Sequence, residues 1–150
     1  MPDAFRVGFL SLRKVGQIMT RTIVTVPASA SLARLRRTAD AHPDEQWFIV
    51  TEGGFVAGVD SRADIPVSTS DGKYRRGFAT RILQPYSVGT EEEVAFDVAS
   101  RMRAEGTFVA LIAASSRSPL RFADVRGVLG RDHLGDVVDE YVDFYSGRQR

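Results

Sequence analysis

The order of apolar and turn-forming segments in this chain occurs twice, and that repeat constrains the fold more than any other feature. In the first half a β-branched run, Ile23-Val24-Thr25-Val26, is stopped by Pro27. Leu32, Leu35 and Ala39 follow at helical spacing, and then come the apolar run Trp47–Val50 and a second run, Phe55–Val59. In the second half Tyr86-Ser87-Val88, then Val94, Val98 and Met102, then Phe108–Ile112 and Val125–Leu129 take the same places. Ile82-Leu83 parallels Ile18-Met19, and Gly127-Val128 stands where Gly58-Val59 stands in the first half. A fixed internal repeat means one supersecondary unit used more than once. A unit of about 60 residues buries little core alone, so the two are expected to pack together.

Local chemistry fills in each unit. Ser29 or Ser31 can cap the first helix, because a hydroxyl there accepts from an orphan backbone N–H. His42-Pro43 ends that helix, since proline disfavours helix in the residue before it. Four unbroken apolar residues, Trp47–Val50, read as a strand buried on both faces. Glu52-Gly53-Gly54 is a tight turn that uses the positive φ of glycine. Ser61 can open a short helix with Asp64 three residues on, and Pro66 curtails it. The polar stretch 67–78 reads as a linker. Thr90-Glu91-Glu92-Glu93 is a capping box, and Gly106 ends the helix that follows. A longer loop, Ser115–Phe122, replaces the tight turn of the first half. Leu134, Val137, Val138, Tyr141, Val142 and Tyr145 form one face of a final amphipathic helix, a packing stripe rather than a cofactor box.

Composition removes several classes of function. The chain has 150 residues, a formal net charge of +1 and no cysteine. Disulfides, thiolate catalysis and cysteine-based zinc sites are excluded. The near-neutral charge offers no global field for nucleic acid, and basic runs such as Lys73-Tyr74-Arg75-Arg76 read as solvated faces. His42 and His133 are far apart, and there is no HExxH, Walker or dinucleotide loop. Glu91, Glu92 and Glu93 are consecutive and do not converge as an acid pair. No apolar run reaches the ~20 residues that span a bilayer, and the start lacks the pattern of a signal peptide. The expectation is a non-catalytic, cytoplasmic chain, either free-standing or the soluble part of an inner-membrane protein.

Several motifs then resemble the CBS domain family, and the pair resembles a Bateman module. They are Val15-Gly16-Gln17-Ile18-Met19-Thr20, Ile23-Val24-Thr25-Val26-Pro27, Ser31-Leu32 and Gly58-Val59-Asp60-Ser61-Arg62-Ala63-Asp64-Ile65. The family closes a repeat with Gly, two apolar residues, Ser or Thr, two variable residues, Asp and an apolar residue. Asp60 departs from that pattern, while Ser61 and Asp64 match it. The second half closes Gly127-Val128-Leu129-Gly130-Arg131-Asp132-His133-Leu134, with Gly130 in place of the hydroxyl and His133 in place of the Asp. The resemblance implies an α/β (α+β) fold: two repeats, each a small three-stranded sheet with two helices, packed in pseudo-two-fold fashion. The boundaries it gives are a lead-in over 1–14, repeat 1 over 15–66, a linker over 67–78, repeat 2 over 79–146 and a tail over 147–150. The second ending, with its preceding loop and the Asp-Val-Val-Asp-Glu-Tyr-Val helix, looks like the cytoplasmic part of bacterial ClC-type chloride channels or antiporters.

In the family the clefts often bind adenosine nucleotides, and the residues here can be matched to that chemistry. Asp64 suits ribose hydroxyls. Ser61 and the amides after it favour an anion, and Arg62 could add charge. Ile23 and Trp47 would form the apolar slot. Ser61 and Asp64 are equally an ordinary helix-capping pair, and Trp47 equally a core or interface aromatic. Tyr86 and Arg131 mark a weaker second site, because losing the Asp at 133 removes a charged hydrogen bond of ~1.5–3 kcal/mol. The resulting expectation is a regulatory module that senses ATP, ADP or AMP, needs no cofactor, forms a homodimer and serves a host membrane transporter. The alternative is a ligand-free dimerisation or interaction module of a larger protein.

Overall fold

In the computed structural model, residues 13–65, 83–131 and 133–134 are described. The linker 67–78, Pro66 and the final amphipathic stripe beyond Leu134 lie outside them. The chain divides into two compact units, each with a three-stranded sheet. This is the mixed α+β architecture that the repeat implies.

The first unit holds β1 (Thr25–Pro27), α1 (Leu32–Ala41), β2 (Trp47–Glu52) and β3 (Phe55–Ser61). β1 runs parallel to β2, and β2 antiparallel to β3. Pro27 is the last residue of β1 rather than its stop. β1 is an edge strand, where a missing N–H costs no ladder bond. Gly53 and Gly54 turn the hairpin with φ of +59° and +84°, the two positive values a primed turn requires. Ser31, not Ser29, caps α1: its Oγ accepts from the Arg34 N–H at 3.1 Å. Leu32, Leu35 and Ala39 turn inward from α1 and join the core that contains Phe48 and Val26. Phe48, Ile49 and Val50 are fully buried, as a strand covered on both faces should be.

The second unit holds β4 (Ser87–Gly89), α2 (Ala95–Glu105), β5 (Val109–Ala113) and β6 (Val125–Gly130), with the same strand order and directions. α2 begins at Ala95, not at Thr90. The capping box is half formed: Glu93 Oε1 accepts the Thr90 N–H at 3.0 Å, but the Glu93 N–H goes to the Thr90 backbone carbonyl. The same carboxylate receives both Arg101 guanidinium nitrogens, at 3.1 and 2.5 Å. That pair holds residues 90–94 as a turn ahead of the helix. Gly106, in the left-handed region at φ +71°, ends α2. Phe108 precedes β5 and is 49% exposed, so it is not part of the buried run.

The units do not follow the sequence halves. Residues 13–21 belong with β4–β6, while residues 83–85 and 117–124 belong with β1–β3. Thr20 pairs with Val128 on the outer edge of β6, exchanging two backbone bonds of 2.9 Å. Gln84 pairs with Val59 on the outer edge of β3 in the same way. Each lead-in thus covers the open edge of the sheet built mainly from the other half. Two glycines make room for it. A Cβ on Gly58 would lie 2.9 Å from the Cβ of Leu83, and one on Gly127 would lie 2.7 Å from Met19 Sδ and the Thr20 carbonyl oxygen. The repeated Gly-Val pairs are the places where these segments cross.

Candidate functional site

The five candidates of the first repeat all fall in the first unit, at one end of its sheet. Trp47 and Ser61 are partners in the β2–β3 ladder. Ile23 lies two residues ahead of Thr25, and Trp47 two residues ahead of Thr25's ladder partner Ile49, at the same end of the parallel pair. Both side chains are half-buried. Ser61 caps a single turn of 3₁₀-helix, Arg62–Asp64, with its Oγ accepting from the Ala63 N–H at 3.3 Å.

Arg62 departs from its expected role. Its side chain donates to the carbonyl oxygens of Glu45 (2.6 Å), Ala39 (2.8 Å) and His42 (2.5 Å). The guanidinium also lies 5.4 Å from the centroid of the Phe48 ring. α1 ends at His42-Pro43 without a left-handed residue; the Ala39 and His42 carbonyls accept the His42 and Glu45 N–H groups at 3.1 Å, and Arg62 adds a charged donor to both. A cation at a helix C-terminus also meets the negative end of the dipole. Arg62 is therefore tied to the end of α1 and the loop after it through Nε and one terminal nitrogen.

Asp64 is exposed, and its Oδ2 accepts from Gln84 Nε2 at 2.8 Å. It does not reach back to cap Ser61. A carboxylate accepts about four hydrogen bonds, so one donor leaves capacity for ribose hydroxyls. No pattern in the sequence marks Gln84, because it reaches Asp64 from beyond the segment 67–78.

In the second unit the equivalent positions diverge. Val109 and Gly130 pair as Trp47 and Ser61 do. The Arg131 N–H bonds the Phe108 carbonyl, as the Arg62 N–H bonds that of Gln46. The Arg131 side chain, however, is exposed and lies 5.4 Å from the Phe108 ring centroid. At the end of α2 the Gly106 and Thr107 amides bond the Arg103 and Met102 carbonyls. His133 takes over a capping role: its Nδ1 accepts the Gly130 N–H at 2.8 Å. Tyr86 is half-buried, and that burial pushes its phenol above the usual tyrosine range. Beside it, the buried Ser87 hydroxyl bonds Thr107 Oγ1 at 2.6 Å and the Glu105 carboxylate.

The second unit also contains a cavity of about 240 Å³ that the sequence did not disclose. Among the described residues, Phe96, Ala99, Met102, Phe108 and Leu134 line it, together with Arg103 and Arg131. Among the described residues no group of acidic or histidine side chains could hold a metal ion.

No family model matches the sequence, and no curated protein matches it. Solved structures do. The CBS domain of a bacterial CNNM/CorC family Mg2+ transporter in complex with the inhibitor IGN95a matches with a TM-score of 0.70 at 17% identity, covering 93% of this chain and 82% of that one. The same type of domain in complex with ATP matches with a TM-score of 0.64 at 21% identity, covering 93% and 94%. A CBS domain pair bound to 5′-methylthioadenosine and S-adenosyl-L-methionine matches with a TM-score of 0.62 at 14% identity, covering 85% and 96%. At such identities the likeness is one of fold alone: the mixed α+β architecture with two three-stranded sheets is consistent with that of a CBS domain pair.

Proposed function

We propose that this chain is a non-catalytic regulatory module that binds an adenosine nucleotide and modulates a membrane transporter from the cytoplasmic side. The observation that supports it most is the likeness, over nearly the whole length of both chains, to a transporter CBS domain in complex with ATP. The first-unit group of Ile23, Trp47, Ser61 and Asp64 is the proposed site. The half-buried Ile23 and Trp47 offer an apolar slot, and Asp64 an acceptor for ribose. Tyr86 and Arg131 form the weaker second set. The similar transporter domains include those of Mg2+ transporters of the CNNM/CorC family. A ClC-type chloride host rests on the Gly127–Leu134 ending and the segment after it.

One set of observations favours a ligand-free dimerisation module instead. Arg62 and Ser61 serve the local backbone, and Asp64 already holds Gln84. Thermal shift separates the two readings. ATP, ADP or AMP that binds only the folded chain must raise Tm, by about 2.7 kcal/mol of stabilisation at one hundred times Kd. Asp64→Ala should remove that shift while leaving the unliganded Tm nearly unchanged. No shift with any of the three at millimolar concentration would leave the dimerisation reading in place.

A further inference from the structure

On the reading that the first unit binds an adenosine nucleotide, we propose that Gln84 positions Asp64 and thereby makes the site select ribonucleotides over deoxyribonucleotides. Asp64 is exposed and ends a single 3₁₀ turn. An exposed carboxylate samples several rotamers, and a ligand that uses it must freeze it. Here one oxygen is already held: Oδ2 accepts from Gln84 Nε2 at 2.8 Å. The carboxylate only accepts, so the amide must face it with its NH2 end. Both ends of this bond stand on fixed backbone. The Gln84 N–H and carbonyl exchange bonds of 2.8 and 3.3 Å with Val59, a fully buried residue of β3. On the other side, the Ile65 N–H bonds the Arg62 carbonyl at 3.1 Å, and the Ile65 side chain joins the core of the unit. Arg62 ties the same turn to the end of α1. Asp64 and Gln84 belong to one unit, so the carboxylate is aimed before any ligand arrives.

The chemistry of an aimed carboxylate sets the ligand class. A ribose hydroxyl donates to it in a charge-assisted hydrogen bond. The C–H that replaces the hydroxyl in a deoxyribose does not. Preorganisation adds no contact; it lowers the cost of making one. The contribution of Gln84 is therefore confined to ligands that carry the hydroxyl. Contacts of adenine with Ile23 and Trp47 do not pass through Asp64 and keep their worth whether Gln84 is present or not. A Gln84 that only tied its segment to the edge of β3 would act on every nucleotide alike.

Calorimetric titration of the whole chain with ATP, 2′-deoxy-ATP and 3′-deoxy-ATP tests the proposal. Wild type should prefer ATP to at least one of the deoxy ligands by about ten-fold, the worth of a charged hydrogen bond. Gln84→Met keeps the length of the side chain and the backbone bonds to Val59 but cannot donate to Asp64. It should weaken ATP about five-fold and shrink that preference by the same factor. Gln84→Asn, whose amide ends one methylene short, should do the same. Both variants should keep the unliganded Tm nearly unchanged, because the bond they remove ends on an exposed carboxylate. Equal binding of all three ligands by wild type, equal weakening of all three by the variants, or no weakening of ATP by either variant would overturn the role of Gln84 and leave the nucleotide reading in place. Wild type that binds none of the three overturns the nucleotide reading, and the role of Gln84 with it.

Discussion

Arg62 and Arg131 occupy the same point of the repeat yet have different partners, and the difference lies in how the preceding helix ends. α1 stops at His42-Pro43, and its C-terminal carbonyls take donors from Arg62. α2 stops at a left-handed glycine and supplies its own donors. Removing Arg62 leaves those carbonyls without a charged donor. Arg62→Met is therefore expected to destabilise the chain by about 2–3 kcal/mol, read as a lower midpoint in urea at unchanged slope. Arg131→Met, at an exposed position, should stay within about 0.5 kcal/mol. Equal effects from the two would refute the role given to Arg62. Both arginines and both helix endings were readable in the sequence. Their consequence was not, because a side chain's partners depend on which backbone groups the fold brings within its reach.

At the scale of elements, the capping box at Thr90–Glu93 shows how a correct local signal can misplace a boundary. Glu93 does reach back to the Thr90 amide, as the motif requires. Its carboxylate is also gripped by Arg101, two turns along α2, so the motif ties a turn to the helix instead of starting it. The hydrogen bond from Arg101 is the main cause that holds the Glu93 carboxyl below its usual range. A depressed carboxylate contributes stability above its unfolded value, about 4.3, and loses it as pH falls through the lower folded value. Glu93→Gln should therefore cost about 1 kcal/mol at neutral pH. In urea titrations at successively lower pH, the gap between wild type and variant should close below about pH 4. A gap that persists in acid would mean that the pair is not what holds the turn.

Strand order, helix faces and turn glycines were legible in the sequence because they follow period and local chemistry. At the scale of the whole molecule, the assignment of segments to units was not, because the lead-ins pair with sheets distant in sequence. Thr20 bonds Val128, and Gln84 bonds Val59. The units therefore interleave along the chain: unfolding either one releases both ends of a segment that belongs to the other. Such a chain should lose both units in one transition. Gly127→Ala tests this from one side only. The added methyl meets the Thr20 carbonyl oxygen at 2.7 Å, backbone that cannot swing away, and should cost about 2 kcal/mol. Gly127 belongs to the second unit, while Trp47, the only tryptophan, belongs to the first. Trp47 fluorescence and far-UV circular dichroism should therefore shift together in the variant and remain coincident through the urea transition. If the Trp47 transition stays where it is in wild type while the circular dichroism moves, the units unfold independently, and the exchange of lead-ins does not couple them.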